Sequence, residues 1–157
     1  MGYEPVKTNK GAVQVYLGGK GEGALMLASH VDTLGAMVRA VKANGRLRVA
    51  PIGGLNASNT ETENVIVHTR DGREFDGTLQ VEHASVHVNG KLKETLRSWD
   101  NVEVVLDEDV KNAADVAALG IGAGDFVFVE PRTRVTASGY IKSRFLDDKL
   151  SLAILLG

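Results

Sequence analysis

His30 and Asp32 stand two residues apart in Ser29-His30-Val31-Asp32-Thr33, directly after the apolar run at residues 24–28. On an extended chain this spacing points both side chains to one face. An imidazole and a carboxylate so placed have two uses: the ring binds a metal while the carboxylate fixes its tautomer, or the carboxylate only satisfies a histidine at a strand end. Asp147-Asp148 form a second acidic feature, followed by Lys149 and the apolar residues 150–156. They read either as an N-cap beside a solvated acid or as oxygen donors to the same site as His30. With no cysteine in the chain, any metal centre must use His, Asp and Glu, a donor set for hard or borderline cations.

The remaining candidates carry less. Glu82, His83 and His87 place two histidines four apart, the separation of a helical zinc pair, but the glutamate precedes the first histidine and the segment reads as strand. His68 alternates with Ile66 and Val67 and reads as a surface or cross-strand residue. The glycine-rich residues 18–23 lack the Lys-Ser or Lys-Thr end of a phosphate loop and open no helix. No serine sits in a Gly-x-Ser-x-Gly elbow. Trp99 reads as a core anchor.

The elements that must position these groups are mostly strands. Residues 11–17 alternate and end in the glycine-rich turn, and residues 24–28, apolar on both faces, read as an interior strand covered on two sides. Polar groups at the end of such a strand are where open α/β sheets hold ligands. From Gly35 the pattern changes to hairpins. Residues 36–41 and 46–50 flank Asn44-Gly45, a type I′ signal. Further strands are expected at 64–69, 74–80, 85–88, 102–106 and 126–130, with turns at Asp71-Gly72 and Asn89-Gly90. Short strands at this spacing predict a small barrel or sandwich. One helix is expected at 112–119, capped by Asn112 and stopped by Gly120. The last segment predicts a helix apolar almost all round, which must be buried. A buried helix is a poor place for a chain to end, so the sequence reads as a piece of a longer protein.

Composition narrows the function. The chain has 157 residues, 43% hydrophobic and 24% charged, with 18 basic and 20 acidic side chains and a formal net charge of −2. This apolar share supports a packed domain and excludes disorder. Scattered basic residues and a slight negative charge argue against nucleic acid as a partner and against an anionic membrane patch. No run approaches the roughly 20 apolar residues of a membrane span, and no secretion signal opens the chain. A cytoplasmic location is the expectation.

The ordered set Ala28-Ser29-His30-Val31-Asp32-Thr33-Leu34-Gly35-Ala36-Met37-Val38, Ile52-Gly53-Gly54, Gly124-Asp125-Phe126-Val127 and Ser143-Arg144-Phe145-Leu146-Asp147-Asp148-Lys149 resembles the M42 metallo-aminopeptidases, some of which carry older cellulase or endoglucanase labels. The resemblance implies an exopeptidase that removes N-terminal residues from peptides with two divalent ions, zinc or cobalt. It implies that His30 binds one ion, that Asp32 orients His30, and that Asp147 bridges both. Asp148 matches a position that is Asp or Asn in relatives. The implied fold is a fragment of an α/β catalytic domain, residues 1–34 and 138–157, with an inserted mostly-β barrel or PDZ-like domain at 35–137 that mediates homo-oligomer formation. The chain is strand-rich overall.

Thr33 stands where many relatives carry an acid, and Phe145 where a small residue or histidine is common. Family members are roughly twice as long, and after the bridging aspartate they add a general-base glutamate and three further ligands. Two side chains cannot hold two ions in an open geometry, so the chain alone is expected to be catalytically silent. Two other readings remain: an oligomerisation module without catalysis, and a glycoside hydrolase. The latter needs paired carboxylates across a sugar groove and fits poorly with 5% aromatic residues.

Overall fold

The computed structural model describes residues 2–157. Its centre is a closed six-stranded barrel of β3 (Gly35–Val41), β4 (Leu47–Ile52), β5 (Asn64–His68), β6 (Glu74–Val81), β7 (Val102–Leu106) and β8 (Phe126–Val129), in the spatial order β3-β4-β7-β6-β5-β8. Every pairing is antiparallel, and closure rests on Ala36↔Val127 and Met37↔Phe126 between β3 and β8. A short hairpin of β1 (Val6–Lys7) and β2 (Val13–Gln14) precedes the barrel. A second, β9 (Arg134–Val135) with β10 (Ile141–Lys142), follows it. Helix α1 (Ala113–Ala118) lies between β7 and β8, and α2 (Leu146–Leu156) ends the chain.

A six-stranded barrel is narrow enough for side chains to fill. Alternate residues Val38, Leu47, Val49, Val65, Val67, Leu79, Val102, Val104, Val127 and Val129 point inward and are almost fully buried. Valine suits this interior because its stiff, branched side chain packs well on a pleated surface. Gly77 has a packing reason: a Cβ there would lie 2.7 Å from the Val105 carbonyl oxygen on the neighbouring strand. Val116 of α1 and Ile121 join the same core, with Trp99 packed against it and donating Nε1–H to the Leu55 carbonyl at 3.0 Å. Trp99 is the anchor expected of it.

The hairpins repeat one device. At Asn44-Gly45 the expected type I′ turn is replaced by a three-residue loop: Gly45 N–H donates to the Lys42 carbonyl (2.9 Å), Lys42 N–H to the Arg46 carbonyl (2.8 Å), and Gly45 alone takes the left-handed φ of 81°. This is a type I turn closed by a glycine bulge. The loops ending in Gly11, Gly72 and Gly139 show the same two bonds and the same positive φ. In these three the hydroxyl of Thr8, Thr69 or Thr136 also accepts the backbone N–H four residues on.

Four expectations are corrected. Residues 24–28 form no strand, and Leu25, Met26 and Leu27 are largely exposed; an interior strand needs neighbours on both sides, and the described residues supply neither. Only Val13–Gln14 of the run 11–17 is strand. Residues 85–88 are turns, because the chain leaves the barrel after Val81 and finds no strand to pair with. Helix α2 has no buried residue, and Ile154 is 71% exposed. By contrast α1 forms where expected, with Asn112 Oδ1 accepting from the N–H groups of Ala114 and Asp115, and Asp115 reaching back to the Asn112 N–H.

Candidate metal centre

Two irregular segments meet beside the barrel. The first, residues 24–34, enters β3 at Gly35, and Leu34 packs so closely on Gly53 that a Cβ there would lie 2.7 Å from Leu34 Cδ2. The second descends from β10. Arg144 N–H donates to the Pro131 carbonyl (2.9 Å), and its guanidinium donates to the Asn59 carbonyl (2.7 Å) and pairs with Glu63 (3.2 Å). Phe145 packs against the barrel core in a left-handed conformation, φ 60°, which turns the chain into Leu146 and Asp147. Regular helical dihedrals begin only beyond Asp148, and Phe145, at the cap position, supplies no side-chain hydrogen bond.

These anchors bring His30 to Asp147. His30 Nε2 lies 3.2 Å from Asp147 Oδ1, although the two residues are more than a hundred positions apart. On its other edge, Nδ1 lies 3.2 Å from the Asp32 carbonyl oxygen and 3.4 Å from Asp32 Oδ1. Asp32 and Asp147 are open to solvent and the imidazole is half exposed. Partial desolvation opposes the charged ring, yet the Asp32 carbonyl and the carboxylates of Asp32 and Asp147 outweigh it, so the His30 pKa lies above its usual value. Acceptors at Nδ1 favour the tautomer that leaves the Nε2 lone pair for a cation. Asp148 makes no ion pair among the described residues.

The donor set fits part of a metal site. Two ligands at about 2.0–2.1 Å from a tetrahedral zinc stand roughly 3.3 Å apart, close to the Nε2–Oδ1 separation observed. Asp32 faces the opposite nitrogen and so cannot share the ion with Nε2. Among the described residues no group of three His, Asp or Glu side chains is arranged to hold a cation. The arrangement is therefore two donors and one orienting carboxylate.

The other histidines lie elsewhere. His83 takes a left-handed φ of 54° in the turns after β6, so it and His87 share no helical face and form no zinc pair. His68, on β5, stands edge-on to Phe128 at 6.2 Å on the barrel's outer surface, the cross-strand role expected for it. Residues 18–23 are exposed and open no helix.

Sequence reasoning missed two charged clusters. Glu103, outward-facing on β7 yet 2% exposed, accepts from Lys42 (2.6 Å) and Arg46 (2.6 Å), while Lys42 also bonds Glu82. Lys42 is partly desolvated, but the hydrogen bonds it donates to Glu103 and Glu82 hold its pKa above the usual value. Glu82, bonded first to Lys42, is held below its own. The second cluster comprises Arg132, Arg134, Lys142 and Arg144 at the base of the β9–β10 hairpin. Only the alternation of cations through residues 132–134 and 142–144 could have signalled it.

A valine-lined barrel is thus flanked by a solvent-open cluster of His30, Asp32 and Asp147, and comparison with known proteins gives the family. The M42 glutamyl aminopeptidase family profile matches residues 11–157, so the chain belongs to the M42 peptidase family. It is 44% identical over 154 residues to the Bacillus subtilis (strain 168) protein YhfE, which carries an aminopeptidase name; the match covers 98% of this chain and 44% of that protein. The aminopeptidase APDkam598 from the archaeon Desulfurococcus kamchatkensis superposes with a TM-score of 0.82 at 25% identity, over 98% of this chain and 41% of that one. The TET1 peptidase of Pyrococcus horikoshii, which can assemble into a tetrahedron or a large octahedral shell, shares the fold with a TM-score of 0.77 at 22% identity, over 99% and 45% of the chains. The chain thus spans less than half the length of these relatives. No helix among the described residues is long and apolar enough to cross a membrane.

Proposed function

We propose that this chain is the barrel-bearing part of a metal-dependent aminopeptidase that hydrolyses N-terminal residues from peptides, and that it is catalytically silent alone. The observation that carries the reading is the 3.2 Å contact between His30 Nε2 and Asp147 Oδ1, with Asp32 on the opposite ring edge. In it His30 and Asp147 would hold divalent zinc or cobalt, Asp147 being the ligand that the resemblance implies is shared between the ions, and Asp32 would position the imidazole. A bound ion would lower the pKa of water toward 7 and polarise the scissile carbonyl. Residues 1–34 and 138–157 belong to the catalytic domain and residues 35–137 to the inserted barrel, which mediates self-association.

Silence follows from counting donors. A catalytic zinc takes three protein ligands and an open position, and the described residues offer two. The resemblance also implies a general-base glutamate, to which no described residue is assigned, and lacking it would by itself forfeit ~10²–10⁴ in rate. The test is hydrolysis of glutamyl-, leucyl- and lysyl-anilides by the purified chain with added zinc or cobalt. No turnover above the metal-only control is expected, and robust turnover abolished by His30→Ala would contradict the proposed silence.

A further inference from the structure

Asn-Gly occurs twice in the chain, at Asn44-Gly45 and Asn89-Gly90. An asparagine followed by glycine can lose its side-chain amide, because the glycine, having no side chain in the way, lets its own backbone nitrogen reach the asparagine Cγ. Both copies make the same Asx turn: Oδ1 accepts the N–H two residues on, from Arg46 at 3.2 Å and from Lys91 at 3.1 Å. The nitrogens that must attack differ. Gly45 N–H donates to the Lys42 carbonyl at 2.9 Å inside the β3–β4 hairpin, and its loop packs on Asn112, whose carbonyl oxygen would lie 3.4 Å from a Cβ at Gly45. Gly90 is exposed, and its N–H has no hydrogen-bond partner among the described residues. A Cβ at Gly90 would meet nothing within 4 Å, and its φ lies outside the left-handed region. Asn89 in turn ties its loop together, because Nδ2 donates to the His83 carbonyl at 3.3 Å, its N–H to the Ser85 carbonyl at 2.9 Å, and its carbonyl accepts from Leu92 at 3.1 Å.

We propose that Asn89 is a spontaneous deamidation site, and that its conversion releases the loop of residues 82–92 from the barrel. In the step, the Gly90 nitrogen bonds to Asn89 Cγ and gives up its proton, the Cγ–Nδ2 bond breaks, and Nδ2 leaves as ammonia. The cyclic imide then takes up a water molecule and opens to aspartate or to isoaspartate, with no oxidation or reduction. Asn44 is protected, because the Gly45 hydrogen bond and the hairpin turn must open first, which slows it at least about fivefold. The product no longer fits the loop. A carboxylate has no donor for the His83 carbonyl, so an attractive contact becomes one between two acceptors. Isoaspartate also lengthens the backbone between the bonds to Ser85 and Leu92. Little else holds this segment: Leu92 is buried, but Val86 and Val88 are exposed at 58% and 77%, the mark of a loop that opens at low cost. The loop borders a cavity of about 620 Å³ over Lys42, Arg46 and Glu103, so its release would admit water to those ion pairs.

The test is peptide mass spectrometry of the whole chain aged in mildly alkaline buffer, once folded and once in concentrated urea. In the folded chain Asn89 is expected to convert at least about fivefold faster than Asn44. In urea the two rates should converge, because neither glycine nitrogen is then bonded. Gly90→Ala, for which the structure leaves room, should slow conversion at Asn89 without moving the unfolding midpoint. An Asn44 rate equal to or above that of Asn89, a ratio that urea leaves unchanged, or undiminished conversion in Gly90→Ala overturns the assigned site. Hydrogen exchange on the aged chain and on Asn89→Asp reads the release. Faster exchange confined to residues 82–92 is expected, and exchange that matches the unaltered chain in both samples refutes the release.

Discussion

At the scale of single residues, charge placement makes predictions of definite sign. Asp71 is bonded to Arg73 and to the Thr69 hydroxyl (2.5 Å), and the Arg73 hydrogen bond is the chief cause of a carboxyl pKa lowered from 3.8 to about 2. A depressed carboxyl favours the folded state above its unfolded pKa, and that contribution fades as pH falls from about 4 through about 2. A carbon-detected NMR titration should place the Asp71 midpoint near 2, and Arg73→Gln should return it toward 3.8; an unchanged midpoint would show that Arg73 is not the cause. The proposed metal site was legible at this scale, because His30, Asp32 and Asp147 could be picked out by residue type and by resemblance to a family. The convergence of His30 and Asp147 was expected from the resemblance, but the anchors that bring it about, Phe145 and Leu34 fastening two irregular segments to the barrel, were not legible. The cations of the β9–β10 hairpin were invisible for a different reason: Arg134 and Lys142 become neighbours only through the hairpin register.

Among the elements, those closed by short-range chemistry were read best. Helix α1 announced itself through Asn112, and its capping box is complete. Asn112→Ala should cost about 1 kcal/mol, measurable by chemical denaturation. The barrel strands were read well because period-two patterns and Asn-Gly or Asp-Gly turns are local, although the turn type was not, since a type I′ turn and a glycine-bulged loop share the same dipeptide. Gly77 was unmarked in the sequence, yet the Val105 carbonyl leaves no room for a methyl group; Gly77→Ala should destabilise by about 1–3 kcal/mol. An unchanged unfolding midpoint for Gly77→Ala would mean that β6 and β7 can separate there at little cost. The strand expected at residues 24–28 failed because an apolar run becomes a strand only when neighbouring strands accept its hydrogen bonds.

Across the whole molecule, stability and proposed chemistry reside in different parts. The barrel holds the buried side chains, so Leu47→Ala should cost about 2–5 kcal/mol. Ile154→Ala in α2, at a site 71% exposed, should change stability by no more than about 0.5 kcal/mol. A large loss at Ile154 would show that α2 is covered in solution, and light scattering on the same sample would show whether a second copy of the chain covers it. The exposed apolar residues at 24–27 and in α2 flank the two segments that carry His30 and Asp147. The barrel thus holds the packed core, and the proposed metal site beside it is only half completed by the described residues. The most direct test of that site is a competition titration of zinc against a chromophoric chelator, with the unaltered chain, His30→Ala and Asp147→Ala compared side by side. Zinc taken up by the unaltered chain and lost in both variants, while their thermal unfolding is unchanged, is the predicted result; zinc uptake that survives both substitutions would contradict the assignment.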